Sequence, residues 1–204
     1  MFKRLFDILL SSIGLLASSP LWLLFSVAIK LEDRGPIFYS QERIGKNGRI
    51  FKALKFRSMI HGAEKDSGPV QAIENDPRVT RVGRILRATA MDELPQLINI
   101  LKGDMSFVGP RALRPEEIEV RDRTIEVEPV PLESIPGYHV RQSVIPGLTG
   151  FAQVYLPADA PRHQKFRYDL LYINRRTFLL DFKLILLSFW ITFRGKWESR
   201  ERKI

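Results

Sequence analysis

No charged residue occurs between Ile8 and Ile29, and this run dominates what the chain is able to fold into. At about 22 residues it is long enough to cross a hydrocarbon core as a helix. Lys3 and Arg4 precede it, and Lys30, Arg34, Arg43, Lys46 and Arg49 follow it. A straight span would carry one basic flank across, against the bias that keeps positive charge inside. The run is interrupted by Ala17-Ser18-Ser19-Pro20. Proline removes a helical N–H and crowds the turn before it, and neighbouring serine hydroxyls take up freed backbone groups. The expectation is a helix broken at Ser19-Pro20 that enters a bilayer, bends, and returns to the same face. Residues 1–34 are then a re-entrant anchor. A straight span, a cleaved leader and a buried core helix are the competing readings. The apolar run extends past any plausible cleavage point, which counts against the leader.

The remaining residues, 35–204, are enough for one domain with its own core. The fold class expected is α+β and mostly helical: a small β-hairpin, several helices and membrane-surface amphipathic helices. Ile37 to Gln41 and Arg49 to Phe56 read as two short strands around the turn Gly45-Lys46-Asn47-Gly48. A polar loop follows from about His61 to Asp76. Arg78, Arg81, Arg84 and Arg87 recur every third residue, as along one helix face. A solvated or membrane-facing basic helix explains them; a sharper reading takes Arg87 to a phosphate site. Pro95 suits a first helical turn, Leu94, Leu97, Ile98 and Leu101 have helical spacing, and Gly103 is a stop. Asp92 and Glu93 therefore stand at or just before a helix N-terminus, where caps and dipole partners are also found. The charged stretch from Arg114 to Val130 reads as a helix with Glu116, Glu117 and Glu119 on its surface, and residues 131–161 as irregular. Residues of about 162–197 read as one long helical pattern. Asp181 and Lys183 make it an interfacial helix rather than a span, with Trp190 and Trp197 near the interface.

With 32 basic and 23 acidic residues the chain carries a net charge of +9, which fits an anionic membrane, phosphorylated substrates or nucleic acid. Only charge favours nucleic acid, and the apolar N-terminus argues against it. The absence of cysteine excludes disulfides, Cys-ligated zinc and thiol catalysis. There is no phosphate-binding P-loop, dinucleotide fingerprint or serine nucleophile elbow. His61, His139 and His163 lie far apart, without metal-ligand spacing. An acid pair among arginines and a lysine-bearing hairpin remains, and phosphoryl chemistry uses such a set. Arginine neutralises and orients phosphate oxygens, and a carboxylate can attack phosphorus. A divalent cation such as magnesium brings the two anions together. A second carboxylate would orient the metal or take a proton.

The chain resembles the bacterial sugar transferases, the monotopic phosphoglycosyl transferases. The resemblance rests on Lys3-Arg4-Leu5-Phe6-Asp7, Ser19-Pro20, Gly35-Pro36-Ile37-Phe38, Gln41-Glu42-Arg43-Ile44-Gly45 and Lys55-Phe56-Arg57-Ser58-Met59. It continues through Asp76-Pro77-Arg78, Asp92-Glu93-Leu94-Pro95-Gln96, Gly103-Asp104-Met105-Ser106, Val108-Gly109-Pro110-Arg111 and Pro146-Gly147-Leu148-Thr149-Gly150. These motifs cover nearly the whole chain in the family's order. The resemblance implies transfer of a sugar-1-phosphate from a nucleotide sugar, usually a UDP-sugar, to a polyprenyl phosphate such as undecaprenyl phosphate, with release of UMP. It makes Asp92 the nucleophile of a covalent phosphosugar intermediate, Glu93 its partner, and Mg2+ the cofactor, held at Asp92. Arg87 and Arg111 map near the phosphates, with Lys55 and Arg57 as weaker phosphate-binding candidates. It further implies a cytoplasmic catalytic domain over residues 35–204 at the inner membrane, contact with membrane lipids, and a role at the start of exopolysaccharide or O-antigen assembly. A homo-oligomer is left open. Two departures stand out. Ala112 replaces the family's frequent proline after Gly-Pro-Arg, and Tyr155-Leu156-Pro157 stands where Asn-Gly-Arg is common. Both bear on substrate identity more than on reaction type. A membrane-surface adaptor binding anionic lipid, with no need of Asp92, is the alternative.

Overall fold

A computed structural model of the chain describes residues 2–63, 76–115, 118–119, 130–197, 199, 201 and 203–204. Helix α1, Phe2–Asp33, is one continuous helix with Pro20 inside it, about 48 Å long by its residue count. The expected break at Ser19-Pro20 is therefore absent: the helix runs on through both residues. Pro20 deprives the Leu16 carbonyl of its usual N–H partner; the Ser19 hydroxyl donates to that carbonyl at 2.8 Å, and the helix persists. The Trp22 indole N–H donates to Ser18 Oγ at 3.0 Å one turn on.

Both ends of α1 are held by the rest of the chain. At the start, Lys3 Nζ donates to the Val108 carbonyl at 3.1 Å and pairs with Asp181. Arg4 donates to the carbonyls of Ile100 and Leu101 at 2.6 and 2.7 Å. At the far end Asp33 pairs with Arg57, and the Glu32 carboxylate accepts from the backbone N–H groups of Arg81 and Val82. Between these ties one face buries Asp7, Ser11, Ser18 and Ile29. The opposite face leaves Leu5, Leu9, Ile13, Leu16, Leu24, Val27 and Leu31 exposed, at helical spacing.

The hairpin forms as the turn signal between its two segments predicts. Strand β1, Phe38–Ile44, pairs antiparallel with β2, Ile50–Phe56, in the register Ile44 to Ile50 and Phe38 to Phe56. Asn47 and Gly48 turn the chain at φ 56° and 78°, the left-handed region that Asn and Gly tolerate. Phe51 and Ala53 of β2 enter the main core, with Leu97 and Ile100 of α3 (Gln96–Lys102) and Phe107 and Val108 of β3 (Ser106–Val108). Helix α2 covers Arg81–Ala88, so Arg78 lies before it, paired with Asp76 at 2.7 Å. The Thr80 hydroxyl caps α2 by accepting from Gly83 N.

Ile118–Glu119 and Val130–Pro131 pair as short antiparallel strands β4 and β5, so the described part of 114–130 is not the expected helix. Residues 116, 117 and 120–129, like most of the polar loop, lie outside the described residues. Helix α4, Tyr138–Arg141, follows, and strand β6, Gly147–Thr149, pairs parallel with β3. A Cβ on Gly147 would stand 2.0 Å from Gly109 N. Glycine at both places lets the Pro-Gly-Leu-Thr-Gly and Gly-Pro-Arg segments interlock, fixing where Arg111 emerges.

The C-terminal pattern is two helices rather than one after the short α5, Phe151–Tyr155. These are α6, Arg162–Arg175, and α7, Phe178–Phe193. Arg176 is extended, and the Thr177 hydroxyl caps α7 by accepting from Leu180 N; a β-branched cap residue starts a new helix here more readily than it continues the old one. Along α7 Phe178, Phe182, Leu186, Phe189 and Phe193 are exposed, while Leu184, Ile185 and Ile191 are buried. Helices α1 and α7 meet where the Phe6 and Phe178 rings lie edge to face, 5.1 Å between centroids.

Candidate active site

The acid pair sits in a one-turn segment, Met91–Glu93, between α2 and α3. The chain arrives through Thr89 and Ala90, the latter at φ 54°, an unfavourable conformation for a residue with a Cβ. It leaves through Leu94 and Pro95, whose φ of −61° suits a helix start. The residue at the N-cap of α3 is Pro95, whose side chain has no group to cap with. Asp92 and Glu93 are 7% and 4% exposed.

Burying two adjacent carboxylates is costly unless cations and hydrogen bonds compensate. Lys55 Nζ stands 2.6 Å from Glu93 Oε1 and 3.4 Å from Asp92 Oδ2. Arg111 Nη2 reaches the same Glu93 oxygen at 2.7 Å. Burial raises the Glu93 carboxyl, but the charges of Arg111 and Lys55 outweigh it and hold the group well below the ordinary carboxylate range. Glu93 is therefore ionised at neutral pH and a weak base, which favours orientation over proton uptake.

Lys55 lies opposite Tyr39 in the hairpin register, and a residue that sequence reasoning missed aligns it. Asn99, 2% exposed on α3, donates to the Lys52 carbonyl at 2.8 Å and accepts from Leu54 N at 2.9 Å. It bolts α3 to β2 one residue before Lys55. The only sign of it in sequence is an amide within the apolar run Leu97-Ile98-Asn99-Ile100. A second missed group is Arg141, buried, which pairs with Asp169 of α6 at 2.8 Å and donates to the Arg111 carbonyl at 2.7 Å.

Four candidates thus converge: Asp92, Glu93, Lys55 and Arg111. Arg87 closes the last turn of α2, just before the Thr89-Ala90 approach to the pair. Arg57 goes elsewhere: it pairs with Asp33, and its guanidinium lies over Gly35, where a Cβ would stand 1.7 Å from Nη1. There it fastens the end of α1. Ser19 and Pro20 lie mid-helix in α1.

The donor set suits magnesium, which takes hard oxygen ligands, needs one or two carboxylates from protein and otherwise keeps water or phosphate oxygens. Asp92 and Glu93 supply such oxygens. Among the described residues no group of three or more His, Cys, Asp or Glu side chains forms a closed cage.

The chain belongs to the bacterial sugar transferase family, whose profile matches residues 1–195. It is 40% identical, over 96% of its own length and 41% of the relative's, to the UDP-glucose:undecaprenyl-phosphate glucose-1-phosphate transferase of Klebsiella pneumoniae. It is 42% identical to the exopolysaccharide production protein PSS of Rhizobium leguminosarum bv. phaseoli, over 90% of both chains. An N-acetylgalactosaminephosphotransferase of Aeromonas hydrophila, acting with undecaprenyl phosphate, is 41% identical over 90% of this chain and 41% of that one. The chain therefore spans less than half the length of the first and third of these relatives, and nearly all of the second.

Proposed function

We propose that the protein transfers a sugar-1-phosphate from a UDP-sugar to undecaprenyl phosphate through Asp92, and so begins assembly of an exopolysaccharide or related glycoconjugate at the cytoplasmic face of the bacterial inner membrane. The observation that carries this reading is the buried Asp92 carboxylate beside an ionised Glu93 that Lys55 and Arg111 hold in place. The names of the relatives support the substrate classes.

In the first step an Asp92 oxygen attacks the phosphorus that bears the sugar. The P–O bond to the nucleotide phosphate breaks, and UMP leaves with the bonding electrons. In the second step an oxygen of the lipid phosphate attacks the same phosphorus, a diphosphate bond forms, and Asp92 departs as carboxylate. No proton is needed overall, which suits a site whose second carboxylate is a weak base. Arg111 and Lys55 face the phosphate oxygens as charge builds there. Asp92, with Glu93 beside it, would hold Mg2+, which supplies charge neutralisation between carboxylate and diphosphate.

Attachment by α1 fits the lipid acceptor. Both ends of α1 are tied to one domain, which a helix crossing straight through a bilayer would not allow. Helix α7, which carries an exposed apolar face of its own, meets α1 at Phe6 and Phe178, and two such faces suit a protein seated in one leaflet as a monotopic enzyme.

The test is UMP release from a panel of nucleotide sugars with magnesium and undecaprenyl phosphate. Wild-type protein releases UMP with at least one donor, and Asp92→Asn releases none while staying membrane-bound. Substantial transfer by Asp92→Asn overturns the assignment, as does silence from the wild type with every donor.

A further inference from the structure

A cavity of about 280 Å3 opens at the tip of the hairpin. Lys46, Asn47 and Arg49 line it from the turn, Phe51 from β2, Asp104 from the end of α3, and Ile145 from the segment before β6. A smaller cavity, lined by Arg111, shares Gly45 with it. Backbone bonds hold these walls together: Asn47 N–H donates to the Gln142 carbonyl and Ile44 N–H to the Leu113 carbonyl, both at 2.8 Å.

The fold sets this cavity a fixed distance from the acid pair. Helix α3 and strand β2 run side by side, bolted by Asn99. Glu93 and Lys55 meet at one end of the pair, and Asp104 and Phe51 wall the cavity at the other. Phe51 precedes Lys55 by four residues of β2, about 13 Å of strand. Arg111 belongs to both places, reaching Glu93 with its guanidinium and lining the cavity that shares Gly45. The polar groups of the larger cavity are uncommitted. Asp104 Oδ2 stands 3.5 Å from the Asn99 amide, and Oδ1 has no hydrogen-bond partner among the described residues. The Lys46 and Arg49 side chains likewise make no hydrogen bond or ion pair among the described residues.

We propose that this cavity holds the base of the nucleotide-sugar donor, and that Asp104 selects uracil by accepting its ring N–H while Arg49 and Lys46 donate to its carbonyl oxygens. The inference rests on the transferase reading. Ligand cavities run from about 300 Å3 upward, so this one has room for a base and little more. An extended diphosphate and ribose place a base at a comparable distance from the phosphorus that bears the sugar, with Arg111 beside the diphosphate. Uracil presents an N–H flanked by two carbonyl oxygens, which an acceptor among donors complements. Cytosine has an unprotonated nitrogen in place of that N–H, and a carboxylate repels it. The same carboxylate disfavours a lipid phosphate here, and the three charged side chains disfavour a lipid tail.

The experiment titrates the full chain, in detergent micelles at constant salt, with UMP, CMP and ribose 5-phosphate, by calorimetry. Wild-type protein is expected to bind UMP about tenfold or more tighter than CMP, the effect of one hydrogen bond to a charged group. Asp104→Asn, whose amide can also donate, loses that preference. Arg49→Ala, at an exposed position, weakens UMP binding while leaving the core untouched. Ribose 5-phosphate, which lacks the base, binds all of these proteins alike, and Arg175→Ala, at the exposed far end of α6, changes nothing. Equal binding of UMP and CMP by the wild type overturns the assignment, as does absence of UMP binding. A preference kept in Asp104→Asn overturns it too, and so does an equal loss of ribose 5-phosphate in the variants, which would make the cavity a phosphate site. Donor turnover by the wild type is measured in parallel. Turnover with an unmoved preference in Asp104→Asn removes the base site alone. An Asp104-dependent preference for UMP without turnover of any nucleotide sugar overturns the transferase reading and leaves the base site.

Discussion

The Ser19 hydroxyl donates to the Leu16 carbonyl at 2.8 Å, the acceptor that Pro20 leaves without its helical N–H. Leu16 and its neighbours lie on the exposed apolar face of α1, where an unmet carbonyl has no water to turn to once the face is in lipid. Ser19→Ala should lower stability in lipid vesicles by about 1 kcal/mol or more. Pro20→Ala restores the N–H, so the double variant Ser19→Ala/Pro20→Ala should recover most of the loss. Thermal unfolding of the four proteins gives the coupling; additive effects would contradict the role given to Ser19.

Glu93 answers for two cations, Lys55 and Arg111, and its loss takes a carboxylate from both. Glu93→Gln should cost about 3 kcal/mol of stability, as breaking a buried ion pair does. The sign of the pH dependence follows from its lowered pKa. Below the ordinary value of 4.5 the unfolded chain binds the proton first, so wild-type stability falls as pH drops through 4.5 and beyond. Glu93→Gln should lack that portion of the slope. Denaturant unfolding between pH 3 and 7 checks it, and parallel curves for the two proteins would contradict the carboxylate's ionised state.

Asn99 makes a distinct prediction because it touches neither acid. Asn99→Leu keeps the volume but strips the Lys52 carbonyl and the Leu54 N–H of their partner. Stability should fall by about 2 kcal/mol. Turnover should fall further than folding loss explains, since Lys55 is no longer aligned with the acid pair. A variant with full turnover per folded molecule would show that α3 and β2 align without it.

How much of this was readable beforehand follows the range of the contacts. The hairpin was legible because two short strand-like segments and the turn Gly45 to Gly48 between them are local signals. The place of Asp92 and Glu93 before α3 was legible from Pro95 and Gly103. Lys3 and Asp181 stand 178 residues apart, and no periodicity announces that they meet. The same holds for Arg141 with Asp169. The division between α6 and α7 was missed because Arg176 and Thr177 lie inside an otherwise helical pattern, and only the capping geometry of Thr177 reveals it. Arg57 is a weaker phosphate-binding candidate by the resemblance alone; its pairing with Asp33 in the fold is a contact between distant residues that no local pattern announces.

The most direct measurement is the intact mass of the protein after incubation with a turned-over UDP-sugar and magnesium, without lipid acceptor. The account predicts a mass gain of one sugar phosphate, mapped to the peptide holding Asp92, discharged on adding undecaprenyl phosphate and absent from Asp92→Asn. Stoichiometric UMP release with no mass gain, or a gain mapped to any other residue, would contradict it.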